Sequence, residues 1–319
     1  MLIRAMLQAV LTIGLVQFVP VDGAILEHSA KLPTSVEYPA SAMMTQLTSV
    51  HLPAAADRTP KRIDDQSLGV VTTAKSVLVL DRQSGSALYQ KNADEVRPIG
   101  SISKLMTALV FLETNPTLES SASVVNEDYR EGGRVYLAFN DPVMERDLLH
   151  ASLIGSDNTA TMSLVRLSGL SEVDFVAKMN AKAVELGMTS TVYHDPTGLS
   201  AQNVSTARDI VQLLSAVQDI PEIAQTIIIS QVTITQGSGR SATIESTDEL
   251  LTSFVNQPPF TMLGGKTGYL PEAGYCIGVG VRHEGSGDVF IVLLGSENKY
   301  TRVQEVKGLA DWVYRVYAW

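Results

Sequence analysis

Residues 76–113 have the sequence SVLVLDRQSGSALYQKNADEVRPIGSISKLMTALVFLE, and the pattern of this stretch changes part-way along it. Two short apolar runs flank turn residues at 81–85, which predicts a β-hairpin. After Pro98 the apolar residues recur every three or four positions, which predicts a helix from Ser101 to about Glu113. The fold therefore begins with strands and continues with a helix.

The middle of the chain carries helix patterns, and the end carries strand patterns again. Four helices are predicted, with starts near Asp141, after Asn158, at Ser171 and at Thr206. The third is expected to bury one face, formed by residues 173, 176, 179, 183 and 186. Strands are predicted at 231–235, 275–281 and 289–294, with a strand end at 261–268 and a last helix at 301–317. Strands, helices and strands in this order indicate an α+β fold with a helical insertion.

The composition limits the class of protein. The chain has 319 residues, of which 45% are hydrophobic and 18% charged, so it can bury a large core. Its net charge of −10 argues against a nucleic-acid partner, which would need a basic surface. One cysteine excludes an internal disulfide and a cysteine-based metal site, and five scattered histidines suggest no ligand set. We therefore expect neither a metal nor a cofactor.

The first 66 residues differ in character from the rest. One basic residue precedes an apolar run, so residues 1–23 are predicted to be a signal peptide and the protein is expected to be exported. An uncleaved membrane anchor, or an apolar tail without a targeting role, is the alternative interpretation. Residues 24–66 are rich in Ala, Ser, Thr and Pro, which predicts a linker or disordered segment. Residues 67–319 are expected to form the globular domain.

A first candidate motif lies at the start of the predicted helix 101–113. Ser101 and Lys104 stand at positions i and i+3, so they share one helix face. A serine hydroxyl becomes a strong nucleophile when a base takes its proton, and a lysine amine can be that base once burial or nearby positive charge lowers its pKa. The helix N-terminus also favours developing negative charge. Taken alone, the pair also fits a capping serine and a surface lysine.

Two further motifs follow along the chain. In S-D-N, Ser156 can relay a proton to a leaving amine and Asn158 can hold a lysine and a substrate amide, although a polar loop between helices is the better interpretation of this motif taken alone. In K-T-G, Lys266 and Thr267 can bind a carboxylate at a strand edge, and Gly268 lets a substrate backbone lie close. A hairpin turn would explain this motif alone. Together and in this order, the three motifs form the set used by serine penicillin-recognising enzymes.

The sequence around the motifs resembles one family, the D-alanyl-D-alanine peptidases among the low-molecular-mass penicillin-binding proteins. The similar blocks lie at residues 91–108, 195–207 and 265–274, and the resemblance covers roughly residues 68–319. It implies a β-lactamase/DD-peptidase-like fold, with an antiparallel sheet flanked by helices and an inserted all-helical subdomain. The α/β part is expected at about 67–95 and 225–319, and the helical part at about 96–224.

The resemblance also implies roles for the motif residues. Four are assigned to catalysis, namely Ser101, Lys104, Ser156 and Asn158, and four to substrate binding, namely Lys266, Thr267, Gly268 and Tyr269. In this scheme Ser101 is acylated and Lys104 is its base. The backbone N–H groups of Ser101 and Tyr269 are expected to form an oxyanion hole.

The family also implies peptidoglycan peptides as substrates, β-lactams as inhibitors, and the bacterial periplasm as the compartment. Because only one helix follows the last hairpin, the shorter endopeptidase branch is favoured over the larger carboxypeptidases. Two departures stand out. Gly100 replaces an alanine before the nucleophile, which is expected to loosen the helix start, and Thr247-Asp248 replaces a Thr-Asn element.

Two alternatives share the same motifs. A class A β-lactamase deacylates with a loop glutamate followed by proline, and the pair at the equivalent spacing here is Asp195-Pro196. Aspartate is shorter, so a structural turn is the favoured interpretation. A catalytically silent penicillin-binding or sensor module is the second alternative, and the complete set of motifs argues against it.

Overall fold

The computed structural model describes residues 59–319 of the chain. The predicted signal peptide and most of the predicted linker lie outside the described residues. Within the described range no helix is long and apolar enough to cross a membrane. The linker was predicted to reach residue 66, but Lys61 and Arg62 pair with Ala318 and Tyr317 in an antiparallel ladder. A two-residue polar segment shows no strand pattern by itself, because its partner lies at the other end of the chain.

Residues 59–319 form thirteen strands and seven α-helices. The strands are β1 (Lys61–Arg62), β2 (Ser76–Asp81), β3 (Ala87–Lys91), β4 (Arg97–Pro98), β5 (Ser121–Ala122), β6 (Val143–Met144), β7 (Val204–Ser205), β8 (Gln231–Thr235), β9 (Ser241–Glu245), β10 (Phe260–Leu270), β11 (Gly274–His283), β12 (Asp288–Ser296) and β13 (Tyr317–Ala318). The helices are α1 (Ser103–Leu112), α2 (Glu145–Leu153), α3 (Asn158–Leu167), α4 (Glu172–Glu185), α5 (Ala207–Gln218), α6 (Pro221–Thr226) and α7 (Lys299–Val316). Short 3₁₀ turns cover Gly100–Ile102, Asn126–Asp128, Glu249–Thr252 and Phe254–Asn256.

Five strands form the central antiparallel sheet, in the order β10-β11-β12-β2-β3. The predicted hairpins are confirmed, since β2 pairs with β3 and β11 pairs with β12. β10 carries the K-T-G motif in its interior rather than at its end, and it is an edge strand of the sheet. The 3₁₀ turn Gly100–Ile102 packs against β10. The first and third motifs are therefore adjacent in space.

Both faces of the sheet are covered, which confirms the α+β class. Side chains alternate along a strand, so Val77 and Val79 join α7 in one apolar cluster while Leu78 joins α1 and α5 in the other. The predicted last helix is confirmed as α7, and it buries one face that includes Val303, Val306, Leu309, Trp312 and Val313. The hairpin β8–β9 places Ile234 and Ile244 in the cluster that contains the helices.

The predicted starts of α4 and α5 are confirmed by their caps. Ser171 Oγ accepts a hydrogen bond from Asp174 N at 3.1 Å, and Thr206 Oγ1 accepts one from Asp209 N at 3.0 Å. Each cap satisfies a backbone N–H that has no partner inside its helix.

The buried face predicted for α4 is confirmed at Met179 and Ala183, and Val176 and Leu186 pack half-buried against the core, but the prediction is wrong at Val173. The buried residues of this helix are Phe175, Met179 and Ala183, whereas Val173 is 79% exposed. Residues spaced by four lie on one face of a helix, and Phe175 has the largest apolar area to bury among the residues of the first turn. The buried face of α4 is therefore the one that contains Phe175, and Val173 in the first turn faces solvent.

Candidate active site

Ser101 lies in the 3₁₀ turn that leads into α1. Gly100 immediately before it has a φ of 55°, a backbone conformation that glycine adopts without strain. The predicted helix therefore begins as a separate turn, and the regular α-helix starts two residues after Ser101. This turn brings Ser101 Oγ within 3.0 Å of Lys104 Nζ, as the i, i+3 spacing indicated.

Lys104 is completely buried, and three oxygens surround its amine. Besides Ser101 Oγ, the Nζ atom contacts Asn158 Oδ1 at 2.6 Å and the carbonyl oxygen of Thr197 at 2.5 Å. Burial lowers the pKa of Lys104 to about 7, although the negative charges of Asp195 and Asp157 act in the opposite direction. A neutral amine can donate its two N–H bonds to Asn158 and Thr197, which leaves the nitrogen lone pair for the serine proton.

The S-D-N motif forms the start of α3. Ser156 has a φ of 59°, a strained conformation for a serine, and its Oγ accepts a hydrogen bond from Lys266 Nζ at 3.0 Å. Asp157 caps α3 by accepting bonds from Thr159 N and Ala160 N. Asn158 therefore points inward from the first position of the helix, where one end of its amide holds Lys104. The sequence indicated no role for Asp157. In the structure this residue caps the helix and so sets the positions of Ser156 and Asn158 on either side of it.

The K-T-G motif brings the Lys266 amine and the Thr267 hydroxyl to a common partner, the hydroxyl of Thr247. Thr267 Oγ1 donates to Thr247 Oγ1 at 2.7 Å, and Lys266 Nζ also contacts that hydroxyl at 3.4 Å. Burial lowers the pKa of Lys266 well below its ordinary value, and the positive charges of Lys104 and Arg302 act in the same direction. An anion that binds here would stabilise the charged amine, so the site is suited to a carboxylate.

Three glycines allow separate segments of the backbone to pack directly against each other around Ser101. A Cβ atom at Gly198 would overlap the carbonyl oxygen of Gly100, and one at Gly268 would overlap that of Ile99. A Cβ at Gly100 would lie 2.8 Å from Tyr269 N. The backbone nitrogen of Tyr269 thus lies beside the nucleophile's own turn, which is the arrangement an oxyanion hole requires. Gly100 fits this close packing, so the expected loosening of the helix start is replaced by a tight turn.

A cleft of about 480 Å³ joins these groups. Six of the eight predicted site residues line it, namely Ser101, Ser156, Asn158, Thr267, Gly268 and Tyr269, while Lys104 and Lys266 lie buried behind them. Tyr269 is 51% exposed and its ring lies 4.4 Å from that of Tyr275. The structure therefore brings all eight predicted residues together.

Arg302 is a cleft residue that the sequence analysis missed. It lies on α7, is 3% exposed, and donates to the carbonyl oxygen of Cys276 at 3.3 Å. Its guanidinium lies 5.9 Å from the centre of the Tyr275 ring. The available signal was a single basic residue on the buried face of the predicted helix, four positions before Val306. A buried cation at the edge of the cleft adds to the positive potential of the K-T-G end.

The departure at Thr247-Asp248 has a clear structural consequence. Asp248 is 4% exposed; its Oδ1 accepts from Leu250 N at 3.0 Å, and its Oδ2 has no hydrogen-bond partner. Burial raises the pKa of Asp248 to about 6, although the charges of Arg302 and Lys266 act to lower it. This carboxyl group therefore lies near Lys266 and Arg302, at the K-T-G end of the cleft.

Asp195 organises its own loop. Its carboxylate accepts hydrogen bonds from five donors within residues 197–200, including Gly198 N at 2.8 Å and Ser200 N at 2.7 Å. These bonds occupy both oxygens, which supports the structural-turn interpretation over the hydrolytic carboxylate of a β-lactamase. Cys276 is fully buried among apolar strand residues. Within residues 59–319, no group of three or more His, Cys, Asp and Glu side chains is placed to hold a metal ion.

The chain is similar to known bacterial peptidases over most of its length. A family model described as D-alanyl-D-alanine carboxypeptidase matches residues 64–298. A D-alanyl-D-alanine endopeptidase from Pseudomonas aeruginosa is 32% identical over 274 residues, which is 85% of this chain and 87% of the relative. A second one, from Escherichia coli, is 33% identical over 242 residues, covering 75% of this chain and 76% of the relative.

Solved structures agree with the sequence relatives. Penicillin-binding protein D2 from Listeria monocytogenes, in a cefotaxime-bound form, is 31% identical with a TM-score of 0.67, and the match covers 78% of this chain and all of that one. A D-alanyl-D-alanine carboxypeptidase from Mycobacterium tuberculosis is 28% identical with a TM-score of 0.69, covering 78% and 95% of the two chains. The chain therefore belongs to the D-alanyl-D-alanine carboxypeptidase family of serine-type peptidases.

Proposed function

We propose that the protein hydrolyses D-alanyl bonds of peptidoglycan peptides through an acyl-enzyme on Ser101. The observation that carries this proposal is the position of the buried Lys104 amine, 3.0 Å from Ser101 Oγ. With a pKa of about 7, a large fraction of this amine is neutral near neutral pH. A general base is most effective when its pKa lies near the working pH.

Acylation begins when Lys104 takes the proton of Ser101 and the serine oxygen attacks the scissile carbonyl. Negative charge then develops on the carbonyl oxygen, and the backbone N–H groups of Ser101 and Tyr269 stabilise it. Fixed donors of this kind contribute about 3 kcal/mol each to the stability of the transition state.

Lys266 and Thr267 hold the carboxylate next to the scissile bond. Their amine and hydroxyl lie at the same end of the cleft as the Arg302 guanidinium, so an anionic group meets a local positive potential despite the net negative charge of the chain. Ser156, hydrogen-bonded to Lys266, relays to the departing amine the proton that Lys104 took from Ser101, so both Ser156 and Lys104 end in their starting protonation states. Water then hydrolyses the acyl-enzyme, and a β-lactam, whose leaving group stays attached, blocks this step.

Endopeptidase cleavage of cross-links is the favoured substrate choice. Both sequence relatives described above, at 32% and 33% identity, carry the name D-alanyl-D-alanine endopeptidase, whereas relatives named carboxypeptidase that cover as much of this chain are 24–27% identical. The same chemistry on a terminal D-alanine would be carboxypeptidase activity, which is the description of the family model. We further propose that the enzyme works outside the cytoplasmic membrane, in the bacterial periplasm, because its substrate lies there and its first residues resemble a signal peptide.

The test uses labelled penicillin and purified muropeptides. We expect the wild-type protein to be labelled, and Ser101→Ala to remain folded but unlabelled. Products separated by mass should show dimers converted to monomers, whereas loss of D-alanine from monomers would indicate carboxypeptidase action. Labelling of Ser101→Ala, or an unlabelled wild type, would refute the assignment. Rapid nitrocefin turnover would favour the β-lactamase, and labelling without any cleavage would favour the silent module.

A further inference from the structure

A second groove, of about 490 Å³, adjoins the active-site cleft. Its floor is one face of the first turns of α7, because Lys299, Val303 and Lys307 are spaced by four residues. Its opposite wall is the 3₁₀ turn Glu249–Thr252 together with Ser253. Lys299 lines both the groove and the cleft, so the two form one continuous surface.

The groove adjoins the carboxylate-binding end of the cleft. Thr267 is hydrogen-bonded to Thr247 at 2.7 Å, and two residues further along the chain Glu249 pairs with Lys299 at 2.6 Å. A ligand that passes the K-T-G motif in this direction therefore reaches Lys299 next. This is the side on which the leaving group of the reaction departs, since the carboxylate belongs to that group.

The surface of the groove combines exposed aromatic and cationic side chains. The Tyr300 side chain lines the groove and is 73% exposed. Phe254 is 44% exposed, and the Lys307 amine lies over its ring, 6.0 Å from the ring centre. Glu249 is the one acidic residue of the lining, and it is paired with Lys299. Lys307 has no carboxylate within ion-pair distance in the described part of the chain, so its charge is available to a ligand. Such a surface suits an anionic peptide rather than a neutral or cationic one.

We propose that this groove is a subsite for the second stem peptide of a cross-linked peptidoglycan dimer, on the leaving side of the scissile bond. The proposal rests on the peptidase function proposed above. A single D-alanine leaving group ends at the carboxylate held by Lys266 and Thr267 and does not reach the groove. In a cross-link the leaving amine belongs to a diamino acid within a second peptide. That peptide continues past the same carboxylate and carries further carboxylates of its own.

The subsite therefore separates two activities of one catalytic centre. Contacts with Lys307 and Tyr300 lower KM for dimers and leave monomeric pentapeptides and penicillin unaffected, because these smaller ligands end inside the cleft. The groove thus sets the preference for cross-links over free peptide ends.

The experiment compares Lys307→Glu and Tyr300→Ala with the wild type and with Lys178→Glu. Lys178 is an exposed lysine of α4, outside the groove, and serves as a matched charge reversal. We expect Lys307→Glu to reduce kcat/KM for purified cross-linked dimers about five-fold or more, mainly through KM, as loss of a surface charge contact predicts. Rates with pentapeptide monomers and acylation by labelled penicillin should stay within about two-fold of the wild type, as should all rates of Lys178→Glu.

Ionic strength gives an independent readout. Wild-type dimer cleavage should weaken as salt rises, and Lys307→Glu should lose most of that dependence. An equal loss on dimers and monomers, or no loss on dimers, would overturn the subsite while leaving the peptidase function intact. A wild type that is labelled by penicillin but cleaves only monomers would also overturn it, whereas an unlabelled wild type would refute the proposed function itself.

Discussion

Replacing Asp248 by asparagine tests the effect of burying a carboxyl group behind the active site. The side chain is 4% exposed, and one of its oxygens has no hydrogen-bond partner. Asp248→Asn keeps the Oδ1 acceptor for Leu250 N and removes only the ionisable group. The two cations nearby, Lys266 and Arg302, attract the charged form but do not overcome the penalty of burial.

The size of the effect follows from the pKa of Asp248, which rises from 3.8 to about 6 on folding. A raised carboxyl pKa means that the folded state prefers the protonated form. The resulting stability is fully present below pH 3.8 and is lost as the pH rises through about 6. The loss amounts to about 3 kcal/mol at pH 8 and to about half of that at pH 5. The new amide N–H, buried without a partner, costs about 1 kcal/mol at either pH.

We therefore expect Asp248→Asn to increase the free energy of unfolding by about 2 kcal/mol at pH 8 and by much less at pH 5. Urea unfolding at both pH values, followed by tryptophan fluorescence, measures the difference. Asp65→Asn, which removes an exposed carboxyl, is the control and should change neither value by more than about 0.5 kcal/mol. An Asp248→Asn effect of the same size at both pH values would refute the reasoning.

Three further outcomes are expected. The acylation rate with labelled penicillin should rise with pH through about 7, because only the neutral form of Lys104 accepts the serine proton. At pH 6 the rate should be about ten-fold below its plateau at high pH. A rate that is constant from about pH 5 to 9 would exclude Lys104 as the base. Gly198→Ala should abolish penicillin labelling and lower the free energy of unfolding by about 3 kcal/mol, because the new Cβ would overlap the backbone of Gly100. Gly169 has a similar φ but no atom within 4 Å of the added Cβ, so Gly169→Ala should lower the free energy of unfolding by only about 1 kcal/mol. Thermal unfolding of both variants measures the difference. Thr267→Val should raise KM for carboxylate-ending peptides several-fold with kcat nearly unchanged, and an effect confined to kcat would contradict the binding role.

The local part of the site could be predicted from the sequence. Ser101 and Lys104 belong to one helical turn, so their spacing alone determines that they meet. The edge position of K-T-G could be expected from its glycines, but the strand continues past the motif because it pairs with β11 along its whole length. The environment of Lys104 could not be predicted from the motifs. One of its hydrogen-bond acceptors is the backbone carbonyl of Thr197, and a backbone contact of this kind does not depend on the residue type.

The remaining errors come from contacts between distant segments. Arg302 reaches the cleft from the last helix, and only packing of α7 on the sheet brings it beside Tyr275. The β1–β13 pair joins the two ends of the domain and cannot be detected from residues 59–66 alone. The exposed Val173 shows that helical periodicity predicts which face of a helix is buried, but not which residues at the edge of that face are buried.

The close backbone approach at Gly198 and Gly268 has a practical consequence for handling the protein. Segments near residues 100, 198 and 268 are far apart in sequence. The spacing of Ser101 and Lys104 is local, but the Lys104 amine reaches Thr197 O, and Tyr269 N reaches the turn of Ser101, only when all three segments have docked. A partly folded chain therefore has no reactive serine. The fraction of molecules that reacts with penicillin in a refolding mixture counts the native ones, so the inhibitor doubles as a stoichiometric probe of correct folding.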